Sequence, residues 1–188
     1  MAFLSASQIA DMGFKSVGRD VRISAKASIY GAASIELGDR VRIDDYAVIS
    51  AGKGGVHIGA HVHIACFCGI FGRDRVVLGD FAGLSSRVVI YSSTDDYSGD
   101  FLTNPTVDEV FRNVKSAPVV LGDHVIVGSN STVLPGVTLE KGCAVSAHSL
   151  VTKSFNAFKL VGGVPARVIK KRSDVVLLLE KKMRDLDG

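Results

Sequence analysis

The chain has no tryptophan, and its four tyrosines and nine phenylalanines make aromatics only 7% of 188 residues. A core built without large rings must be narrow and aliphatic, and the 47% hydrophobic content is enough to fill one such core in one domain. The three cysteines, Cys66, Cys68 and Cys143, are odd in number and lack CxxC spacing, which argues against a disulfide framework or a zinc knuckle. Apolar runs are broken by charge or glycine well short of membrane-spanning length, and the opening MAFLSASQIADMGF lacks a basic flank and an apolar h-region. The expectation is a cytoplasmic protein without membrane insertion. A net charge of +3 is too small to imply a nucleic-acid partner.

What is present is a beat of six. Leu121, Val127, Val133, Leu139, Val145 and Val151 are spaced by six, and the same spacing holds for Val17, Ile23 and Ile29, for Leu37, Ile43 and Ile49, for Ile58, Ile64 and Ile70, and for Leu78, Leu84 and Ile90. Two residues before a mark stand small or medium residues such as Val125, Ser131, Val137, Cys143 and Ser149, and glycine or polar residues fall between. A helix of 3.6 residues per turn cannot keep residues six apart on one side, and a plain strand gives period two without regular turn signals. Short strand, tight turn, short strand remains.

Three hexads make a unit of eighteen, and interruptions respect it: blocks 17–34, 37–54, 58–75 and 78–95 are separated by two or three residues, a long insertion fills 96–120, and 121–138 and 139–156 follow without a gap. A triangular solenoid explains this, one hexad per side and one unit per coil, with the marked aliphatics pointing inward. Six coils at about 4.8 Å give a prism on the order of 29 Å tall. Cys68 and Cys143 then fall on inward positions as apolar filler. Residues 1–16 read as a cap with a short helix behind Ser5 or Ser7, and 157–188 as a closing segment with a helix over 173–186. That helix has Ser173 as N-cap and Val176, Leu179, Met183 and Leu186 on one side, either to cap the prism or to meet a neighbouring subunit.

The stretch LGDHVIVGSNSTVLPGVTL and the ending Gly162-Gly163-Val164-Pro165-Ala166-Arg167-Val168-Ile169 resemble the hexapeptide-repeat acyltransferases, including galactoside and maltose O-acetyltransferases, xenobiotic acetyltransferases and sugar-nucleotide acetyltransferases of polysaccharide biosynthesis. The resemblance implies an all-β, left-handed parallel β-helix. The left hand comes from it alone, since crossovers generally favour the right. It also implies acetyl-CoA as co-substrate, a sugar or sugar-nucleotide acceptor, and a homotrimer with its site in the groove between prisms. Ser129, Ala147, Thr152, Lys153 and Arg167 match the family's coenzyme-contacting positions, with the Ser129 N–H as oxyanion donor. Lys159, Arg167, Lys170, Lys171 and Arg172 cluster after the last coil, where coenzyme phosphates could be held.

The loop DYSGDFLTNPTVDEVFRNVKSAP is long, polar and aromatic at once, without regular structure of its own. In the resembling enzymes it carries a catalytic histidine near its start, but here Tyr91 to Leu121 contain none. Asp95 and Asp96 stand nearest that position, either as candidate bases or as solvated turn residues. His124 is the alternative base or a turn residue in left-handed conformation, with His61 two coils above it and His148 on another side. A carboxylate is a weak base for a hydroxyl, so the missing histidine favours an amine acceptor, with sugar O-acetylation through His124 as the alternative. A zinc hydratase of the β-helical carbonic anhydrase class is a third reading, but His57, His61 and His63 lack its ligand spacing, and no metal site is assigned. A non-catalytic scaffold is disfavoured by the loop and the coenzyme-matching residues.

Overall fold

The computed structural model describes residues 2–187; Met1 and Gly188, the outer ends of the two expected terminal segments, lie outside it. The chain winds as a left-handed parallel β-helix of three sheets. The first face stacks six strands from Ser16–Val17 through Ile35–Leu37, Val56–Ile58, Val76–Leu78 and Val119–Leu121 to Thr138–Leu139. The third face likewise stacks six, from Ser28–Tyr30 to Leu150–Val151. The second carries eight, because Lys159–Gly163 adds a parallel rung below Ala144–Val145 and Ala166–Lys171 folds back antiparallel on it. The six expected coils are there, and the closing segment continues one side beyond them.

Register is set by the inward aliphatics: Leu37 pairs with Ile58, Ile58 with Leu78, Leu78 with Leu121 and Leu121 with Leu139. From the second coil down every marked position is buried, whereas in the first coil Val17 is 41% exposed and Ile29 half-buried, since no coil lies above them. A helix, α1 (Ala6–Asp11), covers that open end; Ser5 caps it in a reciprocal box with Gln8, and Ile9 reaches the core. Cys68 and Cys143 are buried as expected, and burial pushes the Cys68 thiol up to about 11, so it carries no thiolate at neutral pH.

The corners explain the residues between the marks. At the first corner a Cβ on Gly79 would stand 2.6 Å from the Asp123 nitrogen of the next coil, so the position after the inward leucine takes glycine. The aspartates that follow accept backbone N–H groups from the coil above, Asp39 from Arg19 at 2.8 Å, Asp80 from Ala60 at 2.8 Å and Asp123 from Asp80 at 3.1 Å. Arg40, His61, Phe81 and His124 then hold positive φ between 57° and 60°. The three rings stack down the edge, with centroids 4.7 Å apart for His61 and Phe81 and 4.9 Å for Phe81 and His124. Replacing fully buried Ile64 by alanine is expected to reduce unfolding free energy by about 2–5 kcal/mol. Replacing outward Ile126, 46% exposed, should cost under about 1 kcal/mol, and urea unfolding of both variants reads the difference.

Candidate active site

The loop leaves and re-enters at the third corner, where shorter insertions leave the coils above. Its root is fixed by Ser92, whose buried hydroxyl accepts from Asp74 N at 2.9 Å and donates to Asp74 O at 2.8 Å. The loop is more ordered than its composition suggests. An antiparallel rung pairs Ser93 with Ser116 and Thr94 with Lys115, Leu102 bridges to Arg112, and Glu109–Phe111 forms a 3-10 turn.

The two candidate aspartates sit side by side and do different things. Asp96 is 7% exposed: Oδ1 accepts from Ser98 N at 2.7 Å and from the Ser98 hydroxyl, and Oδ2 accepts from Asn113 Nδ2 at 2.7 Å. Those Ser98 bonds first, and then the Asn113 bond and the Lys115 charge, hold its carboxyl below the ordinary range. Asp96 thus ties the outgoing arm of the loop to the returning one. Asp95 is half-buried, its carboxylate has no hydrogen-bond partner among the described residues, and it lines a cavity of about 510 Å³. Phe71 and Tyr91, stacked at 5.3 Å, form one wall of this cavity beside Leu134, and Arg73 and Arg112 also line it.

His124 lies elsewhere. The loop returns at the third corner and His124 is at the first, so the whole first face separates them although the loop ends only a few residues before His124 in the chain. Its side chain is 9% exposed, and Nε2 meets Glu180 Oε2 at 2.6 Å on a second helix, α2 (Val176–Asp187). The Glu180 carboxyl is held low by that bond and then by Arg184. Arg184 lies over the Phe81 ring at 5.5 Å and reaches Asp80 at 3.5 Å. The apolar side of this helix is only partly covered within the chain. Val176 and Met183 are partly covered, but Leu179 and Leu186 are 58% and 87% exposed, because the surface beneath is an aromatic and charged column that Glu180 and Arg184 match.

The coenzyme-matching residues fall into two groups. Ser129 and Ala147 occupy successive turns of the second corner, so close that a Cβ on Gly128 would be 2.5 Å from Ala147 N; Arg167 follows beside Gly162, which underlies Ser146. The Ser129 N–H has no acceptor among the described residues, although its carbonyl accepts from His148 N at 2.8 Å. Thr152 and Lys153 stand at the third corner, below Leu134 and the Asp95 cavity. Within the basic cluster, Arg172 is engaged internally, with Nη1 donating to the carbonyls of His124 and Gly142 at 3.0 and 2.9 Å. Sequence reasoning missed Phe71, Tyr91, Arg73 and Arg112. The first pair shows only as two rings one coil apart, and Arg112 carries no spacing signal.

These features have counterparts among known proteins. Residues 118–153 match the family described as bacterial transferase hexapeptide (six repeats). An Escherichia coli dTDP-4-amino-4,6-dideoxy-D-glucose acyltransferase is 47% identical over 180 residues, 96% of this chain and 94% of its own. A variant of AntD, an N-acyltransferase from Bacillus cereus, in complex with dTDP-4-amino-4,6-dideoxyglucose and coenzyme A, superposes with a TM-score of 0.94 at 38% identity, covering 97% of each chain. AntD with dTDP and 3-hydroxybutyryl-CoA gives 0.94 at 38% identity, over 99% of this chain and 98% of that one. The chain belongs to the hexapeptide-repeat acyltransferases, and it is an acyltransferase that uses a coenzyme A thioester. No helix among the described residues is long and apolar enough to cross a membrane.

The depressed Asp96 carboxyl makes the loop tie present above the ordinary aspartate value, about 3.9, and lost as pH falls through the lower folded value. Asp96→Ala should remove it at neutral pH. Tryptic cleavage at Arg112 is expected to accelerate about tenfold or more while the β-helix keeps its circular dichroism.

Proposed function

We propose that this enzyme transfers an acetyl group from acetyl-CoA to the amino group of a dTDP-linked 4-amino-4,6-dideoxyhexose, in the cytoplasmic supply of surface polysaccharide. The observation that carries the reading is Asp95, an unpartnered carboxylate facing a cavity with one stacked aromatic wall and two guanidinium groups. The Escherichia coli relative is named an acyltransferase of dTDP-4-amino-4,6-dideoxy-D-glucose, and a variant of AntD, an N-acyltransferase, is in complex with that sugar nucleotide and coenzyme A.

Asp95 suits an amine better than a hydroxyl. The neutral amine brings its own lone pair to the thioester carbonyl, the C–N bond forms, and only then does nitrogen carry a positive charge and an acidic proton, which a carboxylate can take. A hydroxyl would need its proton drawn during attack, where a group of ordinary pKa near 4 is a poor base. The oxyanion of the tetrahedral intermediate is stabilised by the Ser129 N–H. Collapse breaks the C–S bond, and coenzyme A leaves as thiolate to be protonated. Lys153 and Arg167 hold coenzyme phosphates, Thr152 and Ala147 line the pantetheine path, and Asp96 positions Asp95 through the loop tie. His124 supports α2. Asp95→Asn is expected to lower kcat about 10²–10⁴-fold with little change in either KM, and His124→Asn to keep kcat within about threefold. The reverse pattern in steady-state assays would return the base role to His124 and the acceptor to a hydroxyl.

The working form is a homotrimer. Asp95, Thr152 and Lys153 stand on one edge of the third face, and Ser129, Ala147 and Arg167 on the other. A threefold ring sets one edge against the opposite edge of the next copy and completes three equivalent sites. Loop side chains such as Tyr97 and Val110, 92% and 82% exposed, then have a neighbour to meet. Ser129→Pro removes the N–H at a turn position before left-handed Asn130, where proline fits. Asp95→Ala and Ser129→Pro should each be inactive as trimers by light scattering, while chains mixed by co-expression regain activity at roughly a quarter of sites. No recovery in mixed trimers would place both residues in one chain's site.

A further inference from the structure

The returning arm of the loop carries a guanidinium short of acceptors. The Arg112 side chain is 12% exposed, and among the described residues its Nε is the one buried side-chain nitrogen or oxygen with no hydrogen-bond partner. The carboxylate it pairs with, Glu109, is 3.8 Å from Arg112 Nη2, too far for a hydrogen bond. Glu109 stands at the same 3.8 Å from Arg73 Nη2 and is 79% exposed, so one solvated charge is divided between two guanidinium groups. A buried guanidinium N–H without an acceptor is unfavourable, and a loop that keeps one has a use for it.

Its setting says what would satisfy it. Arg73 and Arg112 line both the Asp95 cavity and an adjoining hollow of about 210 Å³ bounded by Glu109, Asn113 and Val114. They stand where the two spaces meet. Arg112 is held in place before any ligand arrives, by its bridge to Leu102 and by its own N–H on Glu109 O at 3.1 Å. Two planar, permanently charged forks facing one cavity fit a group with two adjacent anionic centres.

We propose that Arg112 and Arg73 form the subsite for the diphosphate of the acceptor, their guanidinium groups donating to its phosphate oxygens. This rests on the sugar-nucleotide reading above and adds its selectivity device: a free amino sugar brings no anion to the two guanidinium groups, so the enzyme rejects it. Because Arg112 rides on the loop that Asp96 ties, diphosphate binding and the placement of Asp95 are linked through one segment.

The test combines calorimetric binding of dTDP and of thymidine with kinetics on Arg112→Gln, Arg112→Lys and Arg73→Gln. Arg112→Gln should weaken dTDP binding about 10–100-fold and raise the KM of the nucleotide-linked acceptor alike, leaving thymidine binding and the KM of acetyl-CoA unchanged. Arg112→Lys should recover only part, since a point charge replaces a fork. Inorganic pyrophosphate should compete with the acceptor and not with acetyl-CoA in the unaltered enzyme, a readout that needs no variant. A dTDP affinity within twofold of wild type in both glutamine variants, or no competition by pyrophosphate at saturation, overturns the subsite while the acceptor reading stands. Equal wild-type activity on the free and the nucleotide-linked amino sugar overturns both.

Discussion

Everything in this molecule depends on a side of six residues that presents one branched aliphatic to the interior. Parallel strands mostly two to four residues long are too short to stand alone, and they persist because each inward Ile, Leu or Val lies on the one above at strand spacing. The interior is continuous and aliphatic, with Ile43, Ile64, Leu84 and Val127 fully or almost fully buried on a single face. No position inside is left for chemistry. Function is confined to what the coils turn outward, namely the edges, the inserted loop and the ends.

The edges carry a strain that the repeat resolves. Turning by about 120° in so few residues requires a left-handed backbone at the corners, unfavourable by about 1–2 kcal/mol for a residue with a side chain. Here Tyr46, Phe67, Arg87, His61, Phe81 and His124 all accept it. Stacking compensates: Tyr46 lies on Phe67 at 5.1 Å, with Lys26 and Arg87 over the outer faces, and the first corner carries the His–Phe–His column. Contacts of this kind contribute about 0.5–1.5 kcal/mol each, comparable to the strain. His124 belongs to this system, and the C-terminal helix uses it as a foothold. That accounts for a histidine beside the family's most recognisable stretch that nonetheless points away from the cavity.

The loop is the one place where the coil rhythm is suspended for long enough to build something. Ser92 anchors its root, Asp96 and Asn113 tie its arms, and Arg112 and Asp95 are presented to the same cavity from opposite arms. The coenzyme-matching residues are divided between the two edges of the third face, and the trimer proposed above rests on that division.

The sequence by itself determined the triangular coil to the level of individual inward residues, because a period of six with glycine, aspartate and left-handed formers between the marks leaves few compact solutions, while the hand of the coil came from the family resemblance. It also marked the loop, the coenzyme-matching turns and the lost histidine, all of which are local in the chain. What only the tertiary structure decided are relations between corners. Asp95 and Asp96 are neighbours with equal composition signals, and only the contacts of Asn113 and Ser98 separate the tie from the free carboxylate. His124 follows closely on the loop's end in sequence, yet one short face carries it to another edge and under a helix that begins about fifty residues later. Arg112 has no periodic signature, since its meaning lies in an unmet N–H and in Arg73, two coil-lengths of chain away. Periodicity fixes what points inward because burial repeats with the backbone, whereas the outer surface is assembled from residues distant in sequence, and there geometry decides.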